Sequence, residues 1–519
     1  MKNLIKNPFF DNFQLFLLSL LPAALVSGPL ISEIIINLIS LFFLIDIFIN
    51  KKLNIFKNKL FIYFLFFYLF LIFSLLSSEI IKFSALNVFS YFRFFIFSFA
   101  SCEILLKNKN KLIFLYLILS LTLLIVLLDG YIQFFTGENL LGYPKYRIDR
   151  ISGFFNDDLI LGSYLFRILP VYLGLTFYLK DKIKKFFYLN LVICLSTVAL
   201  IFLTGERASF FLTLIFLIII FLQINLNKKI IVSLFTIILL FLIGMFTINP
   251  TIYDRYVKQT ISQVFGTDTE EVFLKNYSPM YNTAFKMFLS KPLVGFGPKS
   301  YRHYCSDDDF VSYYKTRIKP IDNTIITPQF GMKNSLKNFI VKKTFFNEGD
   351  FLDIGDKLFL YYFSDEKDLE ENYKPYFSKK EGIIKNIIIK EKYTNNDIYI
   401  KLEPQRSPDK INFIPNSCNT HPHNTYLQLL SDTGIIGFIF VFTIFLLISF
   451  TLIRNFFKII FYKKRDICDF EICLLANFFI ILWPLTTSGD FFNNWLNIIN
   501  YYPLVFYLFI KKNERFTNE

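Results

Sequence analysis

The sequence predicts a polytopic α-helical membrane protein with about twelve transmembrane helices and a large loop before the tenth, which carries a small inserted β domain. Of the 519 residues, 54% are hydrophobic and 69 are phenylalanine. Apolar runs such as 112–135 and 230–248 have about the twenty residues that a helix needs to cross a bilayer. This composition is not that of a soluble domain.

Hydropathy places nine of the predicted spans within residues 1–248 and three within 435–519. The water-facing segment between them is 249–434. The predicted ranges are 13–27, 30–49, 60–77, 84–106, 112–135, 159–179, 186–203, 208–222, 230–248, 435–453, 470–487 and 496–510.

The net charge of +14 is distributed in a way that predicts topology rather than nucleic-acid binding. Lysine and arginine cluster in alternate short loops, at 51–59, 107–111, 180–185, 228–229, 454–465 and 511–515. Because such loops stay on the cytoplasmic side, both termini are expected in the cytoplasm. If the cell is Gram-negative, the chain would then lie in the inner membrane, with 249–434 in the periplasm.

The long loop contains an inserted domain at about 306–415, which is polar and has no long apolar run. Its two similar halves, 339–362 and 381–402, have short strands joined by Gly-Asp and Asn-Asn turns, which predict a small β-sandwich. The halves resemble biotinyl/lipoyl-like domains, in which Lys367 would lie near the modified lysine. A plain solvated turn is the alternative for Lys367.

Two of the six cysteines, Cys305 and Cys418, lie in the predicted periplasmic loop, where they bracket the insert. An oxidising periplasm permits a disulfide between them, which would join the two ends of the inserted domain. Two unpaired thiols are the alternative.

His423 begins the pattern H-N-x9-G-x2-G, which ends at Gly434 and Gly437 where the loop re-enters the membrane. Asn424 is a good helix cap, and Gly434 suits the end of an amphipathic helix over 425–433. The dipole at a helix start disfavours imidazolium, so His423 can take a proton from a sugar hydroxyl as a general base. A structural histidine at the membrane interface is the alternative.

A metal site competes with this interpretation. Cys418, His421 and His423 form C-x2-H-x-H, which offers three zinc-type ligands close together. Pro422 restricts their geometry and the sequence has no evident fourth ligand nearby, so we expect no metal.

Arginines mark the predicted outer ends of the helices. Arg207 lies in the short turn 204–209, where it either clamps an anion or pairs with Glu206. Arg147 and Arg150 lie in the outer loop before the sixth span, where anionic lipid headgroups are the alternative ligand.

A second glycine pattern follows an aromatic segment at 281–286, and its Pro292, Gly295 and Gly297 form P-L-x-G-x-G. With H-N-x9-G-x2-G and the loop before the sixth span, it resembles the bacterial O-antigen ligase and polymerase family. The resemblance runs from about Ile148 to Phe438 without the insert. The family usually has an arginine where this chain has Tyr277; Lys275, Arg255 or Arg302 are the candidate replacements.

The resemblance implies an inverting, metal-independent glycosyltransferase without cofactors, which moves a glycan from undecaprenyl diphosphate to lipid A-core. His423 would be the base, and the diphosphate ligands would come from Arg207, Arg150, Arg147, Arg255 and Arg302. The alternatives are a polymerase that joins repeat units, a protein O-oligosaccharyltransferase, a polysaccharide exporter and a glycan-binding membrane anchor.

Overall fold

The computed structural model gives the positions of most of the chain. The described residues are 8–51, 56–78, 80–147, 149–261, 277–307, 309–317, 325–326, 339–348, 350–353, 355–363, 369, 372–378, 382–388, 399–403, 411–415 and 418–518.

Long helices coincide with the predicted spans. They are α1 (Pro8–Ser27), α2 (Pro29–Asn50), α3 (Lys59–Ser74), α4 (Ile81–Lys107), α5 (Leu112–Thr136), α6 (Leu161–Tyr178), α7 (Phe187–Leu203), α8 (Arg207–Gln223), α9 (Lys228–Ile248), α10 (Ser278–Ser290), α11 (Thr425–Tyr462), α12 (Asp469–Ile481) and α13 (Asn494–Asn518), of which α10 belongs to the long loop.

Eight helices within the described ranges are long and apolar enough to cross a membrane, and α8 is a shorter apolar helix. The prediction of a polytopic helical membrane protein is therefore confirmed, while twelve as the number of spans stays a prediction. Several boundaries differ from those predicted, and two of them have a clear physical reason. The tenth span continues from Thr425 through a kink at Gly434, and α12 ends at Ile481 because Pro484 disfavours helix before it.

Asparagine caps begin several of these helices. The side chain of Asn58 accepts a hydrogen bond from the Leu60 amide at the start of α3, and Asn227 accepts one from Lys229 in α9. These bonds satisfy amide donors that have no partner within the helix.

Aromatic packing explains much of the phenylalanine content. The rings of Phe64 and Phe95 stack with centroids 3.9 Å apart, and Tyr116 stacks on Tyr172 at 5.3 Å. Lipid offers little hydrophobic driving force between helices, so such packing contacts hold the bundle together. Helix α6 is almost wholly buried, whereas no described side chain of α9 is buried.

Helices α6 and α13 begin at the same face of the bundle. Arg167 donates from Nε to Oδ1 of Asn500 over 2.9 Å, and each residue lies six positions after the first residue of its helix. The described parts of the preceding segments, 137–147, 149–160 and 482–493, therefore lie at one face, which we call the site face.

The turn between α7 and α8 lies at the site face too. Thr204 accepts a hydrogen bond from the Ile151 amide, and Oε1 of Glu206 accepts one from the Gly162 amide over 2.7 Å. This turn therefore lies against the segment before α6 and the first turn of α6.

The chain divides into two compact units. The first comprises 1–260, 287–301 and 420–519, and the second comprises 261–286 and 302–419. These cuts differ from the predicted boundaries after 248 and 434, because parts of the long loop pack with the helices. Hydrogen bonds between 292–297 and α11, described below, are the physical reason.

Strands occur throughout the insert of the second unit. They are β1 (Tyr313–Arg317), β2 (Ile325–Ile326), β3 (Phe339–Thr344), β4 (Phe351–Leu352), β5 (Lys357–Phe363), β6 (Lys374–Phe377), β7 (Gly382–Ile388), β8 (Tyr399–Glu403) and β9 (Ile411–Pro415). The described strands form three sheets, in the orders β1-β9, β2-β8-β7-β4 and β3-β5-β6.

One strand of the first predicted half of the insert pairs with a strand of the second half. β4 lies between β3 and β5 in the chain, but it pairs with β7 of the other half, Phe351 opposite Ile383. Leu352 and Ile384 pack in one core with Phe339 from the other sheet. The lipoyl-like resemblance stays a prediction, and Lys367 lies outside the described residues.

The insert is fastened at its two ends. Cys305 and Cys418 form a disulfide across 113 residues, with Cα atoms 5.0 Å apart. Just inside it, β1 pairs with β9, Tyr313 opposite Pro415. Of the two states left open by the sequence, the structure has the bonded one.

Candidate active site

His423 occupies a strained position immediately before the cap of α11. Its φ is +54°, a left-handed conformation that residues other than glycine adopt rarely. Its carbonyl oxygen accepts a hydrogen bond from the Ser488 amide over 2.9 Å. The loop between α12 and α13 therefore contacts the backbone of His423 directly.

His421 lies beside His423, with ring centroids 4.2 Å apart. Its Nδ1 is 2.9 Å from the Thr420 hydroxyl, and its Nε2 is 3.2 Å from the Ser488 carbonyl oxygen. An Nε2–H tautomer satisfies both contacts, since Nε2 then donates to Ser488 and Nδ1 accepts from Thr420.

Asn424 caps α11 and also anchors it. Its Oδ1 accepts hydrogen bonds from the amides of Tyr426 and Leu427, at 3.0 and 3.1 Å. Its Nδ2 donates to the Pro484 carbonyl oxygen over 2.9 Å. The sequence predicts a cap at this residue, but the anchor to Pro484 depends on a loop 60 residues away.

The electrostatic surroundings keep His423 neutral. Burial, and to a smaller extent the neighbouring His421, lower its pKa to about 4. The start of α11 adds to this because the positive end of a helix dipole disfavours imidazolium. At neutral pH the ring therefore has a nitrogen lone pair that can accept a proton.

The two glycine patterns bind each other through their backbones. Gly297 donates from its amide to the Asp432 carbonyl oxygen over 2.7 Å, and Phe296 donates to Ser431 over 3.1 Å. In return, the Ile435 amide donates to Pro292 over 2.8 Å. The P-L-x-G-x-G turn thus satisfies backbone groups that the kink in α11 leaves open.

Glycine is required for this approach. A Cβ atom on Gly295 would lie 2.5 Å from the Asp432 carbonyl carbon, and one on Gly434 would lie 2.4 Å from that of Leu293. Both glycines also have positive φ, +66° and +64°. At Gly437 a Cβ would meet the Thr433 side chain at 2.0 Å.

A group of arginines surrounds the turn between α7 and α8. Arg255 donates from Nε to the Gly205 carbonyl oxygen over 3.1 Å, and its Nη1 lies 3.6 Å from an Asp149 carboxylate oxygen. Arg147 pairs with the same carboxylate at 3.1 Å. Gly205 has φ +70°, and a Cβ there would lie 3.3 Å from the Arg150 side chain.

Arg207 and Glu206 have different partners. Arg207 donates to the Thr260 hydroxyl over 3.1 Å. The Glu206 carboxylate accepts from the Gly162 amide at 2.7 Å and from the Ser209 hydroxyl at 3.0 Å. Glu206 thus joins the first turns of α6 and α8, and Arg207 extends from the start of α8.

Burial shifts the two opposite charges behind this turn. It lowers the pKa of Arg150, an effect that the nearby Glu206 opposes. It raises the pKa of Glu206, which Arg150 in turn opposes. Arg150 donates from Nη2 to Leu159 over 3.0 Å, while its buried Nε has no hydrogen-bond partner among the described residues.

We call Arg147, Arg150, Arg207 and Arg255 the arginine cluster. It sets four cations against the two carboxylates of Asp149 and Glu206 at the site face. Such a group can bind an anion, because guanidinium forks match the geometry of phosphate oxygens.

Other predicted site residues belong to the second unit. Arg302 lies in the short helix Tyr301–Tyr304, and Tyr277 stacks on Tyr281 with ring centroids 6.1 Å apart. A role for Arg302 at the diphosphate stays a prediction. Lys275 lies outside the described residues.

The sulfur of Cys418, the first residue of the C-x2-H-x-H pattern, is bonded to Cys305 in the disulfide. It therefore cannot bind a metal as a thiolate. Within the described ranges, the structure has no group of three or more histidine, cysteine, aspartate or glutamate side chains that could hold a metal ion.

Residues 191–326 match the model of a family described as O-antigen ligase. This match supports the O-antigen ligase family. It runs from α7 into the insert and includes Arg207, Arg255 and the P-L-x-G-x-G turn. His423 lies beyond its end. No curated protein matches the chain.

Members of the O-antigen ligase family carry out glycan transfer of the ligase or polymerase type, and the match supports that type of activity for this membrane protein.

Sequence reasoning missed the loop that holds His423. Ser488, Gln428 and Asp490 lack a recognisable motif, although Ser488-Gly489-Asp490 after Pro484 signals a turn.

Proposed function

We propose that this O-antigen ligase family protein is an inverting, metal-independent glycosyltransferase. It moves a glycan from undecaprenyl diphosphate to lipid A-core at the periplasmic face of the inner membrane. The observation that carries the proposal is a neutral His423, held before α11 at the same face of the bundle as the arginine cluster.

His423 is the general base. Its ring nitrogen takes the proton of the acceptor hydroxyl as that oxygen attacks the anomeric carbon. The bond from the anomeric carbon to the phosphate oxygen breaks, and the diphosphate leaves with the electron pair. Attack from the side opposite the leaving group inverts the anomeric centre. The low pKa keeps the base unprotonated before each turnover.

The arginine cluster binds the diphosphate. Charge develops on the leaving oxygen in the transition state, and fixed guanidinium donors stabilise that charge without reorganising. The unpartnered Nε of Arg150 supports an anion in this place, because a buried donor costs free energy unless it is hydrogen-bonded. Arg207 contributes from the first residue of α8, where the helix dipole also favours an anion.

Arg255 takes the part of the arginine that the family has at the position of Tyr277. It has contacts at the turn between α7 and α8. Its guanidinium is held by the Gly205 carbonyl oxygen, Gln259 and Asp149. This arrangement fixes a second cation near Arg207, so the site does not need an arginine at position 277.

The choice of a ligase over a polymerase rests on the single large loop before α11. The experiment that tests it deletes the gene in its own host and measures the glycans left on undecaprenyl diphosphate. Long chains on the carrier, with loss of smooth surface polysaccharide, are expected. Single repeat units would indicate a polymerase, and loss of glycan from a secreted protein would indicate a protein O-oligosaccharyltransferase.

No change in either glycan pool would contradict glycan transfer altogether and favour an exporter or a glycan-binding anchor. Complementation separates these outcomes from an indirect effect of the deletion. The wild-type gene must restore the polysaccharide, and a His423→Ala gene expressed to the same level must not.

A further inference from the structure

The start of α11 holds the loop between α12 and α13 at two places. The first lies around His423. The Pro484 carbonyl oxygen accepts a hydrogen bond from the side-chain amide of Asn424, and the Ser488 backbone amide donates to the His423 carbonyl oxygen. The Thr425 hydroxyl donates to the Ser488 hydroxyl over 2.9 Å. This half of the loop contacts the residues that precede and begin the helix.

The second place is Gln428, one helical turn further along α11. Its Oε1 accepts a hydrogen bond from the Phe491 amide over 2.8 Å. Its Nε2 donates to Oδ1 of Asp490 over 2.7 Å. The same Asp490 oxygen accepts from the Phe492 amide at 3.0 Å. One side-chain amide therefore fixes two consecutive residues of the loop.

This second contact is sealed from solvent. Gln428 is 1% exposed and Asp490 7%. Gln428 Nε2 also donates to Oδ2 of the buried Asp432 at 3.3 Å, and the Asp432 side chain accepts hydrogen bonds from the backbone amides of Lys299 and Tyr301, each at 3.0 Å. The network thus joins the helix, the loop and the segment after the P-L-x-G-x-G turn. A buried amide in such a network permits little displacement of its partners, because each broken bond leaves an unsatisfied group.

We propose that Gln428 and Asp490 are positioning residues for His423, an inference that rests on the proposed role of His423 as the base. Ser488 lies two residues before Asp490, so holding Asp490 and Phe491 on Gln428 places the Ser488 amide under the His423 carbonyl oxygen. That bond favours the left-handed backbone of His423, which an unsupported residue would leave. The ring is thereby aimed by a contact outside the reacting groups.

The test compares Gln428→Leu in two backgrounds, using purified full-length protein in liposomes and a polyprenyl-diphosphate glycan donor. In the wild-type background, kcat should fall about tenfold or more while KM for the donor stays constant. The second background is His423→Gly with free imidazole as the base. Because free imidazole is not attached to the backbone, adding Gln428→Leu to His423→Gly should change the imidazole-rescued transfer rate by less than about twofold.

Equal losses in both backgrounds would overturn the proposal, because they would mean general damage to the fold. Gln223→Leu is the matched control. Gln223 is another buried amide of this membrane protein, bonded to Asn455 over 2.8 Å, and its loss should leave the split between kcat and KM unchanged.

Asp490 provides a second test that does not require Gln428→Leu to fold. Asp490→Asn keeps an Oδ1 acceptor for Gln428 and Phe492, so it should retain most of kcat, whereas Asp490→Ala should lose it. Equal inactivity of the two variants would mean that the site needs the negative charge of Asp490, which lies 4.0 Å from Nζ of Lys299, and would overturn a positioning role through these hydrogen bonds. Full activity of His423→Gly without imidazole would instead refute the proposed base.

Discussion

His423 and the arginine cluster lie at the same face of the helical bundle, but they are held in different ways. His423 is fixed mainly through backbone groups, by the Ser488 amide and by the cap of α11. The arginines come from three separate segments and are fixed through their own side chains, as in the bonds of Arg255.

This difference shows which kind of site a sequence can reveal. A residue held by backbone geometry requires glycine, asparagine or proline at fixed spacings, so it leaves a motif. Residues held by side chains require only that their segments meet in space, and the sequence does not record that meeting.

The largest effect should come from the reacting group in the backbone-held half. His423→Ala should lower the rate of glycan transfer in liposomes by about a thousandfold, since general base catalysis supplies about 10²–10⁴. His303→Ala, which removes a histidine of the second unit, should retain activity. Near-normal turnover by His423→Ala would contradict the comparison, because the backbone-held part of the site would then contain no reacting group.

The arginine half should be less sensitive to conservative change. Arg207→Lys keeps the charge but loses the planar fork, so it should reduce kcat/KM for the donor about tenfold or more. Arg454→Lys, an exposed arginine near the far end of α11, is the control. Equal rates for Arg207→Lys and the wild type would indicate that only the positive charge at position 207 contributes to binding the diphosphate.

The backbone-held half should also be the one that glycine substitutions damage. Gly295→Ala combines a Cβ contact of 2.5 Å with a positive φ, which should cost about 1–3 kcal/mol or more. Gly244→Ala is the control because a Cβ there meets nothing within 4 Å. Thermal unfolding in detergent should show a lower Tm for the first variant only.

The smallest expected effect concerns pH. Wild-type transfer should be flat near neutral pH and fall only as pH approaches about 4, where His423 becomes protonated. His421→Gln removes the neighbour whose electrostatic effect lowers the pKa of His423 but keeps a donor for the Ser488 carbonyl oxygen, so it should raise the pKa of His423 and move the acid limb of the rate profile to higher pH. A shift to lower pH would contradict the assigned cause.

Much of the fold could be read from the sequence. Long apolar runs predict helices because burial in lipid is largely a matter of length and hydropathy, and α5 begins and ends within a residue of its prediction. The strands of the insert followed from alternation and turn residues. That β4 pairs with β7 did not, because two-residue strands carry no local signal of their partners.

The candidate site divides along the same line. Asn424 and the glycines of both patterns could be predicted because each answers a local backbone requirement, and His423 was predicted from the pattern that it forms with them. The sequence gives no sign that Gly295 packs on Asp432, or that Arg255 lies beside Gly205, since these contacts join segments far apart in the chain. Gln428 and Asp490 were missed for the same reason.

The most direct test of the central claim is chemical rescue of His423→Gly in liposomes by free imidazole, with the transfer rate followed against pH. The account predicts a rescued rate that rises with pH across the neutral range as free imidazole loses its proton, while the wild-type rate stays flat there. A rescued rate that falls as pH rises would mean that the site needs a cation at this position. That result would contradict His423 as a general base.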